Sequence, residues 1–366
     1  MGRLKTIKLS LLHGSFNLFY QACYHLGGPR KRRVTFATMR SAKLNDNLAA
    51  LRREFVRDGT TDIREFCYHY DRSSKLGFLW ASIKALNALA HSELFIVDDY
   101  FFPLYAINKH ADNQVVQMWH AIGSLKKFGL SLPHADQSVL KPHTNYDWVF
   151  INAENDKPAY ADAFDIDPDH ILATGEPMMD RLMTTQPENH PGPKRLLYSP
   201  TYRPGADGEA QVLNYVQDFI KASQQLRPTW DIYISLHPYL KLPSLSLPSN
   251  VHVFQDAERV KTIMPSMDLF ITDYSSLSLN FSYFERPILL FTPDYDAYMA
   301  DCGFYVDYYQ YLGAPHFDTV ANLVTYINQQ VPTMDLDYVK ALKAKTFPHQ
   351  DGRNAQRVFQ HLIKLL

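Results

Sequence analysis

The sequence predicts an α/β protein of two Rossmann-like domains, each built on a parallel sheet, that face each other across a cleft. The chain has 366 residues, of which 46% are hydrophobic, and this is enough for two domains of ordinary size. Short apolar runs recur in two groups along the chain, with helix-like stretches between the runs. A polar, proline-rich segment, residues 184–195, separates the two groups and is typical of a linker.

The apolar runs do not alternate with polar residues, which favours strands buried on both faces of a parallel sheet. The first group is RVTFATM, ELFIVDDY, VVQMWHA, DWVFINA and HILATGEP. The second group is RLLYSPTYR, DIYISLHP, VHVFQDA, DLFITDYSS and PILLFTPDYD. NDNLAALRREFV and EAQVLNYVQDFIKASQQL have helical periodicity. We therefore predict domains at 1–183 and 196–366, the second of which ends in a C-terminal helix.

Positive charge is concentrated at the amino-terminal end. Residues 1–45 contain nine Lys and Arg and no Asp or Glu, whereas the whole chain has a formal charge of −1. Residues 1–33 combine these charges with an apolar helical stripe, which is typical of a helix lying on an anionic membrane surface. The same pattern also fits an amphipathic helix packed on its own domain.

Several simpler classes of protein are not favoured. No apolar run is long enough for a transmembrane span, and polar residues interrupt the amino-terminal apolar region, which argues against a signal peptide. Three widely spaced cysteines, Cys23, Cys67 and Cys302, fit a reducing cytoplasm and neither a disulfide framework nor a zinc site. The aromatic residues lie within apolar runs, so no nucleic-acid module is expected.

Polar residues end several strands of the second group. Arg203 ends YSPTYR, His237 ends SLHP, and Asp273, Ser275 and Ser276 end ITDYSS. The carboxyl ends of parallel strands meet at one edge, so these side chains suit a phosphate group. Each residue also has a purely structural alternative: Ser275 as a helix N-cap, Arg203 in a surface ion pair, and His237 as a partly buried histidine with its hydrogen bonds satisfied.

In the first group, VVQMWHAIGSLKKFG carries His120 to the end of a strand and then enters a glycine-containing turn. A neutral imidazole accepts a proton at cellular pH, so His120 is a candidate general base. Lys126 and Lys127 are candidates to complement phosphate charge, although a solvated surface explains them equally well. Asp294 and Asp296 have a D-x-D spacing that suits a divalent metal poorly, because no further oxygen ligands are evident.

The ordered motifs QMWHAIGSLKKFG, YSPTYRPG, SLHP, ITDYSSLSLNFSYFERPILLFTPDYDAY and DGRNAQRV resemble those of the CDP-glycerol glycerophosphotransferases of wall teichoic acid synthesis. They span residues 115–358. The short chain and the WHAIGSLKKFG form are similar to the primase-type members.

The resemblance implies a GT-B-like fold and transfer of glycerol phosphate from CDP-glycerol to a hydroxyl of an undecaprenyl-linked saccharide acceptor, with release of CMP. It assigns the first domain to the acceptor and the membrane, and the second to the CDP-polyol. His120 and His237 would be the two important histidines, with Arg203, Ser275 and Ser276 at the donor phosphates. No cofactor or metal is expected. The implied location is the cytoplasmic face of the bacterial cell membrane.

Other functions remain open on the sequence. Met178 and Cys302 stand where the family commonly has arginine, so a CDP-ribitol-dependent or related polyol phosphate transferase is one alternative. A GT-B sugar-nucleotide glycosyltransferase or epimerase would share the architecture. A non-catalytic nucleotide- or lipid-binding partner is the alternative from another class.

Overall fold

The computed structural model describes residues 3–70, 74–132, 140–188, 190–240 and 247–366; of residues 3–7 and 257 it describes the backbone alone. The chain forms two compact units. The first comprises residues up to Arg181 together with Pro348–Leu366, and the second comprises Leu182–Phe347. Each unit has its own sheet and its own hydrophobic core.

The sheet of the first unit has the strand order β2-β3-β1-β4-β5-β6-β7. All pairings are parallel except β2 with β3. The strands are β1 Arg30–Thr38, β2 Arg40–Ser41, β3 Asp62–His69, β4 Ser92–Val97, β5 Gln114–Gln117, β6 Trp148–Ile151 and β7 Ile171–Ala173. The α-helices are α1 Arg3–Gly27, α2 Asp46–Asp58, α3 Lys75–Ala90, α4 Phe102–Tyr105, α5 Lys157–Phe164 and, at the boundary of the two units, α6 Met179–Thr184.

The sheet of the second unit has the order β10-β9-β8-β11-β12-β13 and is parallel throughout. Its strands are β8 Arg195–Ser199, β9 Asp231–Ser235, β10 Val251–Phe254, β11 Leu269–Thr272, β12 Ile288–Phe291 and β13 His316–Phe317. The helices are α7 Ala206–Ala222, α8 Ala257–Ile263, α9 Leu277–Ser282, α10 Tyr295–Asp301, α11 Tyr308–Leu312, α12 Val320–Gln329 and α13 Asp337–Thr346; α14 Asn354–Leu362 returns to the first unit.

Two parallel α/β sheets were predicted, and this prediction is confirmed. Every predicted strand is present, and the central strands are apolar runs that become buried on both faces of their sheets. The edge strands β7 and β10 are buried only in part. The prediction missed the two-residue strands β2 and β13 and also β3, whose sequence DIREFCYH contains charged residues that stay partly exposed near the edge of the sheet. Its position was decided by pairing with β1 and not by an apolar pattern.

The C-terminal helix belongs to the first unit, whereas the sequence analysis placed it in the second domain. The reason is packing: Val358 and Leu362 of α14 are fully buried in the same cluster as Leu51 and Phe55 of α2. The ring of Phe359 also meets Phe55 edge to face, with the ring centroids 4.9 Å apart. An amphipathic helix gives no sign in its own sequence of which sheet it covers.

The segment predicted as a linker, 184–195, falls within the second unit. The amide N–H of Glu188 donates to the carbonyl oxygen of Pro265 over 2.9 Å, and Nε2 of His190 lies 3.0 Å from Oδ2 of Asp268. Its last residue, Arg195, is already the first residue of β8. The segment is therefore tied to the second sheet for part of its length.

Helix α1 packs on the core of the first unit through one face, as the packed-helix alternative predicted. Phe16 and Tyr20 are buried there, and the hydroxyl of Tyr20 accepts from the backbone N–H of His110. Leu11 and Leu18 instead leave 66% and 73% of their surface exposed. Residues 1 and 2 and the side chains of 3–7, which carry part of the predicted basic stripe, lie outside the described part. Among the described helices, none has the length and hydropathy that crossing a bilayer requires.

Candidate active site

His120 follows strand β5 at the carboxyl edge of the first sheet. After β5 ends at Gln117, Trp119 adopts a positive φ of 50°, which is uncommon for a bulky side chain. The amide N–H of Trp119 donates to Oε1 of Gln117 over 2.8 Å. This bond holds the sharp reversal that leaves the His120 side chain 27% exposed.

One ring nitrogen of His120 is held by the end of strand β4. Its Nδ1 lies 3.3 Å from the carbonyl oxygen of Asp98 and 3.4 Å from Oδ1 of Asp99. Both partners accept, so the neutral imidazole carries its proton on Nδ1 and its Nε2 is the basic nitrogen. Asp99 is itself bound by Nε of Arg40 over 3.0 Å. The geometry orients the ring as a proton acceptor.

The local environment keeps His120 in its neutral form. Burial lowers the pKa of His120 below 6.5, and the carboxylate of Asp99 acts in the opposite direction. The positive charge of Arg40 lowers this pKa as well. At neutral pH the imidazole is therefore uncharged, which is the state that a general base needs.

Asp98 contributes a second carboxyl group to this edge and is only 4% exposed. Its Oδ1 has no hydrogen-bond partner among the residues that the structure describes. Burial raises the pKa of Asp98 to about 7, although Arg40 and Thr38 act against this. Burial therefore favours the neutral form of this carboxyl group.

Two buried side chains anchor the loop that carries His120. Nδ2 of Asn47 donates to the carbonyl oxygens of Met118 and Trp119 over 3.1 and 3.2 Å. Further along, Oγ of Ser124 donates to Oδ1 of Asp156 over 2.7 Å. These contacts come from α2 and from the segment before α5, so two separate parts of the unit hold one loop. The loop is preorganised by its surroundings.

Aromatic rings surround the same loop. The ring of Trp119 lies 5.2 Å from Phe128, 5.3 Å from Phe164 and 5.7 Å from His143, between centroids. Burial lowers the pKa of His143 to about 4, so this second histidine is neutral too. Lys126, the predicted charge complement, is partly buried in this loop.

In the second unit, Arg203 is 8% exposed and is bound by two carboxylates. Its Nε and Nη2 donate to the two oxygens of Asp294 over 2.9 and 3.0 Å, a bidentate geometry. Its Nη1 donates to Oδ2 of Asp273 over 2.7 Å and to the carbonyl oxygen of Thr201 over 2.6 Å. The guanidinium also lies 5.1 Å from the ring of Tyr274. Four of its five N–H groups are thus used within the protein.

Asp273, predicted to contact the donor, is 3% exposed and fully engaged. It accepts hydrogen bonds from the backbone and hydroxyl of Thr201 over 2.8 and 2.6 Å, and from Arg203. Arg203, Asp273 and Asp294 therefore form a buried charge cluster that ties together the ends of β8, β11 and β12. In the described structure these groups hold loops. The donor contacts expected of Arg203 and Asp273 stay predictions.

His237 follows β9 and is exposed, unlike Arg203. Its ring stacks on Tyr202 with the centroids 4.6 Å apart, and Tyr239 packs against its edge at 4.7 Å. The amide N–H of Tyr239 points at Nδ1 over 3.4 Å. The imidazole is held at the carboxyl edge of the second sheet with its ring accessible.

Ser275 and Ser276 lie between β11 and α9 and are partly buried. Oγ of Ser275 accepts from the amide N–H of Leu277, the first residue of α9, over 3.2 Å. The N-cap residue itself is Ser276, whose side chain makes no capping bond, so Ser275 contacts the helix start from one position further out than the sequence offered as the alternative. Arg203, His237 and the serine pair all follow carboxyl ends of strands in one sheet, as the parallel order predicted.

The D-x-D spacing does not create a cluster of metal ligands. Both oxygens of Asp294 bind Arg203, and Oδ1 also accepts from the hydroxyl of Tyr274 over 3.0 Å. Within the described residues, no group of three or more His, Cys, Asp or Glu side chains has the arrangement of a metal site.

Sequence reasoning missed Asp98, Asp99, Arg40 and Asn47. A signal existed for the two aspartates, because VDDY ends a predicted strand at the same edge as His120. Arg40 and Asn47 carried no such signal, since their partners are far away in the chain.

Comparison with known proteins identifies the family. The model of the CDP-Glycerol:Poly(glycerophosphate) glycerophosphotransferase family matches residues 18–364. The chain belongs to this family. It is similar to a teichoic acid ribitol-phosphate primase of Bacillus spizizenii, at 27% identity over 99% of each chain. It is also similar to a teichoic acid glycerol-phosphate primase of Bacillus subtilis, at 24% identity over 78% of this chain and 77% of that one.

Solved structures agree on the fold. The wall teichoic acid polymerase TagF superposes with a TM-score of 0.73 at 17% identity, covering 100% of this chain and 98% of that chain. A UDP-GlcNAc 2-epimerase of Neisseria meningitidis superposes with a TM-score of 0.59 at 15% identity, covering 91% and 99%. The family member described here is thus a transferase of teichoic acid synthesis with the predicted GT-B-like fold.

Proposed function

We propose that the protein transfers a polyol phosphate, glycerol phosphate from CDP-glycerol, to a hydroxyl of an undecaprenyl-linked saccharide and releases CMP. Family membership supports the reaction class. The observation that carries the mechanism is the neutral His120, whose Nδ1 is turned toward Asp98 and Asp99 and whose Nε2 is basic. Both features are what a general base for a hydroxyl nucleophile requires.

In the proposed step, the acceptor oxygen attacks the phosphorus that bears the glycerol. Its proton passes to Nε2 of His120, a new P–O bond forms, and the bond to the bridging oxygen breaks. CMP leaves with that electron pair and needs little acid assistance. His237 binds the donor phosphates, and the hydroxyls of Ser275 and Ser276 add hydrogen bonds to the phosphoryl oxygens. Lys126 offsets phosphate charge.

Arg203 has a supporting role in this proposal. Two carboxylates already neutralise its charge, and four of its N–H groups have protein partners. We infer that it holds the loop of Asp273 and Tyr274, which leads directly to Ser275. The alternative is that the remaining N–H of Nη2 contacts the donor directly. Mutation of Arg203 distinguishes the two roles.

CDP-ribitol is the second candidate donor. The observation that favours it is the relative matched over 99% of both chains, a ribitol-phosphate primase. Glycerol-phosphate primases match as well, over a smaller share of the chain. The two donors differ only in the polyol, so the phosphate contacts and the base would serve either one.

We also propose that the protein works at the cytoplasmic membrane face. Exposed apolar side chains occur on α1 and α3, two helices that pack against each other: Leu11, Leu18, Leu76 and Trp80. Of these, Leu76 and Trp80 leave 72% and 64% of their surface exposed. Apolar residues of this size on adjacent helices are suited to the lipid interface.

The deciding experiment incubates the purified protein with lipid-linked disaccharide and either CDP-glycerol or CDP-ribitol. Mass spectrometry of the lipid then shows which polyol phosphate is added, and CMP release is measured in parallel. We expect one donor to be strongly preferred. We also expect transfer to persist in EDTA, because the proposal assigns the stabilisation of phosphate charge to protein side chains and to no metal ion. Transfer of a sugar from a UDP-sugar, or binding without turnover, would refute the proposal in favour of the glycosyltransferase or the non-catalytic alternative.

A further inference from the structure

A surface cavity of about 550 Å³ lies at the amino edge of the first sheet. Its lining is basic and polar: Arg30, Arg33, Thr35, Arg64, Asn87, Ala88 and His91. These residues come from the starts of β1 and β3 and from the end of α3. His120 follows the opposite, carboxyl edge of the same sheet, so this cavity is separate from the candidate active site.

The lining carries a net positive charge. The carboxylate of Asp62 forms ion pairs with two of the arginines: Nη2 of Arg33 lies 2.6 Å and Nε of Arg64 lies 3.0 Å from its oxygens. Arg30 has no ion-pair or side-chain hydrogen-bond partner among the described residues. Three guanidinium groups against one carboxylate leave an excess of two positive charges before His91 is counted.

The arginines retain donors for a ligand. Arg33 binds Asp62 through Nε and Nη2, and Arg64 does the same with contacts of 3.0 and 3.5 Å. Nη1 of each has no hydrogen-bond partner within the described residues. The side chain of Arg33 is only 12% exposed and is fixed by Asp62, whereas that of Arg64 is 59% exposed. The site thus combines one positioned guanidinium with two adaptable ones.

The floor of the cavity is rigid. Oγ1 of Thr35 and Oγ of Ser92 share a hydrogen bond of 2.6 Å, and Nδ1 of His91 contacts the carbonyl oxygen of Asn87 at 2.8 Å. The ring of His91 packs directly against Gly27 at the end of α1, where an added Cβ would lie 2.7 Å from Nε2. The geometry of the lining is therefore held by β1, β4, α1 and α3 together.

We propose that this cavity, with Arg30, Arg33 and Arg64 as its ligands, binds a phosphate-bearing anion independently of the transfer reaction. Guanidinium groups match phosphate oxygens in geometry and charge, and the volume suits a small phosphorylated molecule or a phospholipid headgroup. The basic run RKRR, residues 30–33, otherwise has no role in the proposed function.

The test compares the wild type with the double variant Arg30→Gln/Arg64→Gln. The matched control is Arg53→Gln/Lys84→Gln, which removes the same charge from exposed positions of the same unit. One arm titrates sn-glycerol 3-phosphate and measures binding by calorimetry and hydrogen exchange at residues 30–35 and 87–92. The other arm measures sedimentation with phosphatidylcholine vesicles with and without phosphatidylglycerol.

We expect the site variant to bind at least about tenfold more weakly than wild type and control in one of the two arms. A loss confined to the soluble arm identifies a free phosphorylated molecule, and a loss confined to anionic vesicles identifies a lipid headgroup. Equal losses in the site variant and the control would overturn the proposal, because general surface charge would explain them. Absence of binding by folded wild type in both arms would overturn it as well.

Discussion

Nδ1 of His120 lies 3.4 Å from Oδ1 of Asp99, and Arg40 binds the same carboxylate over 3.0 Å. The Asp99 carboxylate thus lies between the Arg40 guanidinium and the His120 ring at the carboxyl edge of the first sheet. Within the proposed mechanism, Asp99 positions the base and tunes its proton affinity, since the carboxylate favours the protonated ring.

We expect His120→Ala to lower transfer by about 10²-fold to 10⁴-fold while CDP-glycerol binding is retained, because a lost base leaves ground-state donor contacts intact. His237→Ala should impair both transfer and donor binding. Calorimetry with the donor and a turnover assay check this pair. Near-normal turnover in folded His120→Ala would place the base elsewhere.

Asp99→Asn tests the positioning role through pH dependence. The groups facing His120 are Asp46, Asp98, Asp99, Arg40 and His143. Asp99 raises the pKa of His120, so its neutralisation should lower that pKa and move the acid limb of the rate profile to lower pH, with a rate about tenfold lower at the optimum.

The matched control for this variant is Asp218→Asn, which removes a negative charge from an exposed position on α7. It should leave the profile unchanged. An acid limb of Asp99→Asn that stays in place, or moves to higher pH, would contradict the assignment.

Ser275→Ala combined with Ser276→Ala should weaken donor binding without unfolding the protein. The hydrogen bond from Leu277 N–H to Ser275 at the start of α9 is lost too, at a cost of about 1 kcal/mol in stability. Thr319→Ala is the control, because it removes the N-cap contact of α12 alone. If donor affinity falls equally in both variants, the serines act only as caps.

Arg203→Gln should destabilise the second unit by about 3–5 kcal/mol, because two buried carboxylates would lose their cation. Urea denaturation measures the effect. Lys221→Gln breaks an exposed ion pair and should change stability by less than about 1 kcal/mol. Unchanged stability of Arg203→Gln together with weakened donor binding would instead favour a direct donor contact.

Leu18→Gln combined with Trp80→Gln should reduce sedimentation with vesicles and lower activity on vesicle-embedded acceptor, while activity on a soluble short-chain acceptor is kept. These substitutions are cleaner than deletion of residues 1–33, which would remove the buried Phe16 and Tyr20 from the core. Val56→Gln, at another exposed apolar position, is the control. Equal vesicle binding by all three proteins would refute the membrane surface.

The sequence by itself determined the two parallel sheets, because a strand that is buried on both faces needs apolar residues at nearly every position, and such a run is visible in the sequence. It also placed His120, His237 and the serine pair at carboxyl ends of strands, since parallel order follows from the alternation of runs and helices. These properties depend on neighbours in the chain.

Only the tertiary structure decided the partners. The pairing of Arg203 with Asp294, 91 residues away, places a predicted phosphate ligand at the centre of a buried charge cluster. The return of α14 to α2 and the contact of Asp99 with His120 arose in the same way. An ion pair or a packed helix face depends on which residues from distant parts of the chain come into contact. The local periodicity of the sequence does not predict those contacts.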